Sequence, residues 1–487
     1  MSGASIKGKA ISSVVWKFSE RIIAKFVTLI VSIVLARILL PEDYSVVSIV
    51  TIFFAFANII ISGGFNTALI QKKEADIVDF SSVLYFSLGL AAISYIILFI
   101  TAPFIANGYH QPILAPIFRV MGLILPVSAL KSIVCAYISV HLDFKKFFFA
   151  TIIGTVISAV VGIAMAKHGF GAWALVAQQM TNTVIDTIIL CVITRIKFVP
   201  KLSLKKLRTL FSYGWKIFLS SLIATAYNEA NPIVISLRFQ ASDLSFYTKG
   251  RSFPGLISTT TTETLAAVLF PVLARYQDNK ESLLKYTRLF MRISSYVAFP
   301  LMLGFFAISD SFIYLILTEK WMPAVPYVKI FCLTSMFDMI HVGNCETIKA
   351  MGRSDVYLKM EIIKKTGYFI TILLFVFLAT SPIQLACSFI ICTLIAIIVN
   401  SIPNVKMLNY RFCMQIEDLL PNLLISVLMC VVVSLVGMLD INKVVLLLLQ
   451  LVVAIVVYIL SSIITHNSSY IYLRNLVKGY ASSFFCK

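Results

Sequence analysis

Apolar runs of about twenty residues recur along almost the whole 487-residue chain, divided by short polar connections. A hydrocarbon core roughly 30 Å thick is spanned by about 20 residues of helix, because each residue rises about 1.5 Å. The runs lie near 13–38, 44–64, 80–103, 114–137, 147–166, 172–194, 213–237, 254–274, 287–308, 324–346, 360–380, 383–403, 419–438 and 444–465. They predict an all-α polytopic membrane protein with about 14 transmembrane helices. At 59% hydrophobic residues, 13% charged residues and a mean hydropathy of +0.94, the chain has too little polar surface to cover a soluble core.

The basic residues fix the direction of each crossing. A net charge of +19 would suit nucleic acid if it formed a patch, but here Lys and Arg recur between apolar runs. With both termini in the cytoplasm, 26 of the 41 Lys and Arg fall on the cytoplasmic side, 7 on the other and 8 within spans. A wrong span count would scramble that asymmetry, so the positive-inside bias supports fourteen crossings of a bacterial cytoplasmic (inner) membrane. No nucleic-acid partner is expected. The N-terminus lacks a short apolar region followed by a small-residue cleavage site, so the first span is expected to act as an uncleaved anchor. The nine cysteines lie mostly in apolar segments with no CxxC pair or alternating Cys/His cluster, and predict neither disulfides nor a metal site.

The longest hydrophilic connection carries Arg195, Lys197, Lys201, Lys205, Lys206 and Arg208 and divides the spans six plus eight. This gives an N-terminal bundle at 1–197, a basic cytoplasmic connection at 198–212, a second bundle of spans 7–12 at 213–403, and two additional spans with a cytoplasmic tail at 404–487. The second half opens on Tyr213-Gly214-Trp215-Lys216 much as the first opens on Val14-Val15-Trp16-Lys17. Arg37 and Asp43-Tyr44 are echoed by Arg238, Asp243 and Phe246-Tyr247. Six intervening spans return the chain to the same side, so the two bundles are expected to be pseudo-symmetric about an axis along the membrane normal.

Charges inside spans cost about 2.5–3.5 kcal/mol each at the bilayer centre, and therefore mark partners or a watery cavity. Lys17, Arg21 and Lys25 are four residues apart and share one face of span one, with Glu20 beside them. Others are Arg119 and Lys131 (span four), Asp186 (six), Lys216 and Glu229 (seven), Glu263 (eight), Arg292 (nine), and Lys329, Asp338 and Glu346 (ten). Those near span ends, Lys17, Arg119, Lys216, Lys329 and Glu346, can snorkel to the interface. Arg21, Lys25, Glu229, Arg292 and Asp338 lie deeper and are expected to face a cavity, whose cationic excess suits an anionic ligand such as a phosphate or a uronic acid. Glu20, Glu229 and Asp338 either neutralise neighbouring cations or bind a coupling proton or sodium ion. Asn228, Glu229, Asn231 and Pro232 are expected to interrupt span seven, freeing a backbone carbonyl toward the cavity, whereas Pro126 and Pro300 are read as kinks.

Several segments then match a known family in order and spacing: Leu35-Ala36-Arg37-Ile38-Leu39-Leu40-Pro41-Glu42-Asp43-Tyr44, Gly169-Phe170-Gly171-Ala172-Trp173, Phe211-Ser212-Tyr213-Gly214, Phe246-Tyr247-Thr248-Lys249-Gly250-Arg251, Leu269-Phe270-Pro271, Lys320-Trp321-Met322-Pro323 and Met351-Gly352-Arg353-Ser354-Asp355. Over nearly its whole length the chain resembles the polysaccharide flippases of the multidrug/oligosaccharidyl-lipid/polysaccharide exporter superfamily. It departs from their pattern at Ser45, where glycine is usual, and at Thr248-Lys249.

The resemblance implies two bundles around a central cavity and alternating access that moves an undecaprenyl-diphosphate-linked glycan between leaflets. It implies no bound cofactor, exchange coupled to a proton or sodium gradient, and membrane lipids, a polysaccharide polymerase and export machinery as partners. Lys17, Arg21, Lys25, Lys216 and Arg292 would then bind the diphosphate or acidic sugars, with Glu20, Glu229 and Asp338 for ion coupling. A peptidoglycan-precursor flippase and a multidrug exporter of the same superfamily are the nearest alternatives, and a membrane glycan polymerase is a more distant one. The short external connections hold no nucleophile–base pair, GxxxxGK[ST] loop or HExxH motif, which argues against an enzyme.

Overall fold

The computed structural model describes residues 23–72, 75–141, 143–276 and 279–475, and among them all regular structure is helical. Helix α1 covers 23–38, followed by α2 (Pro41–Ser62), α3 (Phe65–Gln71), α4 (Ile77–Gly108), α5 (Leu114–Gly122), α6 (Ile124–Val140), α7 (Lys145–Lys167), α8 (Ala172–Thr194) and α9 (Leu204–Arg238). Then come α10 (Ala241–Arg275), α11 (Lys280–Leu317), a 3-10 turn (Glu319–Ala324), α12 (Val325–Ser335), α13 (Asp338–Ala350), α14 (Ser354–Leu378), α15 (Pro382–Leu408), α16 (Phe412–Val436) and α17 (Lys443–Ile464).

Ten segments among the described residues are long and apolar enough to cross a membrane, with α5–α6 counting as one and Glu319–Ala350 as another. Helices α9, α10 and α14 have the length but more charge. With them and α1, the described helices account for the fourteen expected crossings. By packing, the chain forms two compact units, 1–245 and 246–487, so the division falls one helix after the basic connection at 198–212.

The internal repeat is visible in how its helices start and break. In α2 the Leu40 N–H donates to Asp43 Oδ2 at 3.0 Å, and in α10 the Gln240 N–H donates to Asp243 Oδ2 at 3.1 Å. A carboxylate three residues into the helix thus satisfies the same otherwise orphaned donor at both positions, with the negative end where the helix dipole favours it. The fourth span of each half is also split, α5 from α6 at Leu123 and α12 from α13 at Met336–Phe337. Span seven is different from expectation. Helix α9 runs unbroken from Leu204 to Arg238 with Pro232 buried inside it, so the interruption expected at 228–232 is absent. Proline is tolerated there because neighbouring groups can re-satisfy the carbonyl it frees.

Unlike a soluble protein's, the outward helix faces are apolar while buried stripes also hold polar groups. Helix α17 buries Leu446, Gln450, Tyr458 and Ser462 on one stripe and exposes Val444, Val445, Leu448, Val452 and Ile455. With lipid outside, the bundle is held by close contact and interhelical hydrogen bonds rather than by hiding apolar area. Tyr458 donates to the Tyr296 carbonyl at 2.7 Å, and Tyr296 in turn donates to Ser462 Oγ at 3.0 Å.

In the first unit, α9 crosses the turn between α2 and α3 backbone to backbone. Gly64 sits at φ +74°, and a Cβ built there would lie 2.1 Å from the Gly214 carbonyl oxygen. Both the left-handed backbone and the contact exclude a side chain. Gly64→Ala is therefore expected to cost well over 2 kcal/mol and to abolish recovery of monodisperse protein. Gly89→Ala, where a Cβ meets nothing within 4 Å, should purify like the parent. Size-exclusion yield of the two variants checks this.

Candidate functional site

The first unit contains a cavity of about 440 Å³ walled by α1, α2, α7 and α8. Each helix contributes one face: Thr28 from α1, Ser48 and Thr51 from α2, Thr155 and Ser158 from α7, and Gln178, Gln179 and Asn182 from α8. These positions repeat at three and four residues, so a single stripe per helix is polar and the other faces stay apolar. Thr51 and Ser158 return their hydroxyl protons to backbone carbonyls within their own helices, and Asn182 Nδ2 reaches Ser158 Oγ at 3.4 Å. Among the described residues no charged side chain lines it. Such a wall offers hydroxyl and amide groups that exchange hydrogen bonds with water or a polyol.

One turn along α8 from Asn182, Asp186 is buried and accepts from Lys131 of α6 at 2.8 Å. A Cβ at Gly154 of α7 would fall 1.9 Å from Asp186 Oδ1, so glycine is what lets the carboxylate lie against that helix. Lys131 and Asp186, both read from the sequence as embedded charges, are thus each other's partner.

Of the residues expected to bind substrate, Lys17 and Arg21 lie outside the described residues, as does Glu20. Lys25 is half-buried on α1, beside Ala24 and one turn before Thr28, both of which line the cavity. Lys216 is exposed on α9, two residues past the Gly64 crossing, and Glu229 is half-buried on the same helix. Arg292 and Asp338 belong to the second unit. Asp338 opens α13 and accepts a hydrogen bond from Ser258 of α10.

Arg292 is held in a buried cluster. Asp418 of α16, with a side chain 0% exposed, takes Arg288 Nε and Nη2 at 2.8 Å each, Arg292 Nε at 2.6 Å, and the Tyr410 hydroxyl at 2.8 Å. Asn422, one turn on, donates to the Arg292 carbonyl and to Ser295 Oγ, both at 2.8 Å. Arg292, expected among the substrate-binding cations, is thus one arm of an anchor joining α11 to α16, with its side chain 38% exposed. Pairing also accounts for Lys329, bound to Asp310 at 2.7 Å, and Glu346, bound to Lys349 at 2.9 Å, while Arg119 lies over the Phe99 ring at 4.6 Å.

Two basic residues counted among the connections are helical instead. Lys249 is buried on α10 with its ammonium 5.7 Å from the Trp321 ring, and Arg251 sits 5.8 and 5.3 Å from the rings of Phe331 and Phe389. Cation–π contact holds such charges where water is scarce. The signal available in sequence was slight, because Gly250, Ser252 and Pro254 all punctuate this stretch.

The comparisons with known proteins bear on this arrangement. The family described as "Polysaccharide biosynthesis protein" matches residues 34–326, which is more than half of the chain. The chain belongs to that family. It is 23% identical over 396 residues to an "Uncharacterized membrane protein in cps region" of Klebsiella pneumoniae, covering 80% of each chain. It is 24% identical over 315 residues to "Succinoglycan biosynthesis transport protein ExoT" of Rhizobium meliloti (strain 1021), covering 64% of this chain and 62% of that one. Among solved structures, the lipid II flippase MurJ in an inward closed conformation shares the fold at a TM-score of 0.74 and 16% identity, over 96% of this chain and 100% of that one. The expected assignment to the polysaccharide flippases, as a multi-pass membrane protein, holds.

Two outcomes follow from the ion pairs. Asp418→Ala leaves two partly exposed guanidiniums facing a buried void and should lower stability by about 2–4 kcal/mol, read as a fall in Tm in detergent. At the start of α4, Lys206 binds Asp76 at 2.5 Å, and this hydrogen bond, helped by the Asp79 N–H, holds the Asp76 carboxyl down at about 2. Its folded value lies below its free one, so the tether is fully present above about pH 4 and is lost as pH falls toward 2. Hydrogen exchange at the Val199 and Ser203 amides, which donate to Ser81 and Ser82 beside it, should quicken, after correction for intrinsic rates, only below pH 4.

Proposed function

We propose that this protein moves undecaprenyl-diphosphate-linked oligosaccharide repeat units across the bacterial cytoplasmic membrane by alternating access, supplying a surface polysaccharide such as an exopolysaccharide, capsule, O-antigen or teichuronic acid. The observation that carries the reading is a cavity whose described lining is uncharged and sets serine, threonine, glutamine and asparagine side chains among apolar ones, in a member of the polysaccharide biosynthesis family. A prenyl tail stays in lipid, so only the headgroup needs a wet passage.

Lys17, Arg21 and Lys25 lead in helical spacing to Thr28 on the cavity wall, and Lys216 stands on α9 of the same unit. They attract the diphosphate, and the neutral lining accepts sugar hydroxyls. Dispersed cations suit release on the far side better than one tight clamp. Arg292 contributes to folding first, through Asp418, and its role in binding is secondary. Glu20, Glu229 and Asp338 are the carboxylates offered for coupling to a proton or sodium gradient. The protein acts as a carrier, not an enzyme, with both termini cytoplasmic, and works beside a polysaccharide polymerase and export machinery.

The test is transfer of labelled lipid-linked oligosaccharide between leaflets of liposomes holding the purified protein. Parent protein should flip it, and Arg21→Ala with Lys25→Ala should fall at least about tenfold while inserting normally. Parent-like transfer by that pair, or no transfer by the parent, overturns the reading. In cells, deletion should remove a surface glycan with cell shape unchanged, whereas lysis would favour a peptidoglycan-precursor flippase.

A further inference from the structure

The second unit holds three side chains of different chemistry whose ligand atoms lie within 4.8 Å of one another: His341, Cys345 and Glu361. His341 and Cys345 are four residues apart on α13 and so share a face, with Cys345 Sγ 3.6 Å from His341 Nδ1. Glu361 comes from α14, and Asn400 of α15 closes the group, its Nδ2 2.5 Å from His341 Nδ1 and its Oδ1 3.9 Å from Cys345 Sγ. Lys364 Nζ holds Glu361 Oε1 at 2.5 Å, leaving Oε2 for another partner. Cys345 and Asn400 are buried, and His341 and Glu361 are partly so.

We propose that His341, Cys345 and Glu361 bind one thiophilic divalent cation of the zinc type, with Asn400 or a water as the fourth ligand. Imidazole, thiolate and carboxylate are the donors zinc takes, at about 2.0–2.3 Å, which places tetrahedral donors about 3.3–3.7 Å apart. The observed spread needs a contraction of roughly 1 Å, within reach of rotamer changes in Cys345 and Glu361. Two ligands one helical turn apart and a third from a neighbouring helix is also how the paired histidines of zinc proteases are completed.

The donor set excludes magnesium and calcium, which want oxygen ligands. The thiol proton leaves as the metal enters, so thiolate and carboxylate together balance the dication. Lys364 stays on the outer oxygen of Glu361 and fixes its orientation, the outer-shell role such partners take around metals. Its charge, with those of nearby Lys349 and Lys365, holds affinity below that of an all-thiolate site. Sequence gave no hint, because a single Cys/His pair without a second pair nearby reads as packing, and the third ligand arrives from another helix. Bound metal would tie α13, α14 and α15 into one body.

The probe is Co²⁺, titrated into chelator-treated, detergent-purified full-length protein. The expected result is about one equivalent bound, with a thiolate-to-cobalt charge-transfer band, tetrahedral d–d bands, a higher Tm, and displacement by Zn²⁺ but not by Mg²⁺. Cys345→Ser should remove the charge-transfer band, and Cys413→Ser, at an exposed cysteine, should keep it. Glu361→Gln should retain the band and weaken binding by at least about tenfold, which gives a second reading if Cys345→Ser fails to fold. Absence of the band in the parent, or its survival in Cys345→Ser, overturns the proposal. Neither outcome depends on transport.

Discussion

A carboxylate taken out of water must meet a cation or several donors, and that requirement organises both units. Asp79 at the start of α4 receives Lys72 at 2.5 Å, Asp186 in α8 receives Lys131, and Asp418 in α16 receives two arginines and a tyrosine. Asp186 and Asp418 each take their cations from helices distant in sequence. In hydrocarbon there is no hydrophobic drive to bring helices together, so these charge-assisted contacts, with the Tyr296–Tyr458–Ser462 hydrogen bonds, select which helices are neighbours. The apolar surfaces are left to face lipid.

This changes what an embedded charge signifies. Read singly, Arg292 and Lys131 look like evidence of a wet passage, yet each has a counter-ion on another helix. The polar groups that line the first unit's cavity are serines, threonines, glutamines and an asparagine, which carry no charge. Insertion scales rank those residues far below Lys or Asp in cost, so they hardly interrupt an apolar run.

Much of the architecture was legible in the chain because hydropathy and the side on which Lys and Arg fall are both set locally. Fourteen crossings and the repeat of Asp43 by Asp243 follow from such local signals, and the twin caps give the repeat a physical form. What stayed hidden depends on partners. Nothing around Arg292 announces Asp418, more than a hundred residues later, and nothing around Pro232 announces that α9 continues through it. Lys249 and Arg251 were assigned to a connection because two cations usually end a span, whereas three aromatic rings from distant helices allow them inside.

The position of Asp418 has a consequence for how the chain can be shortened. Helices α16 and α17 follow the twelve spans of the duplicated body and look, from their order, like a detachable pair. Yet α16 supplies the carboxylate that neutralises two arginines of α11, and α17 supplies the hydroxyls that engage Tyr296 on the same helix. A version ending near residue 410 would not be a smaller form of the same carrier but one with bare guanidiniums facing lipid. The C-terminal pair is built into the second unit as a wall.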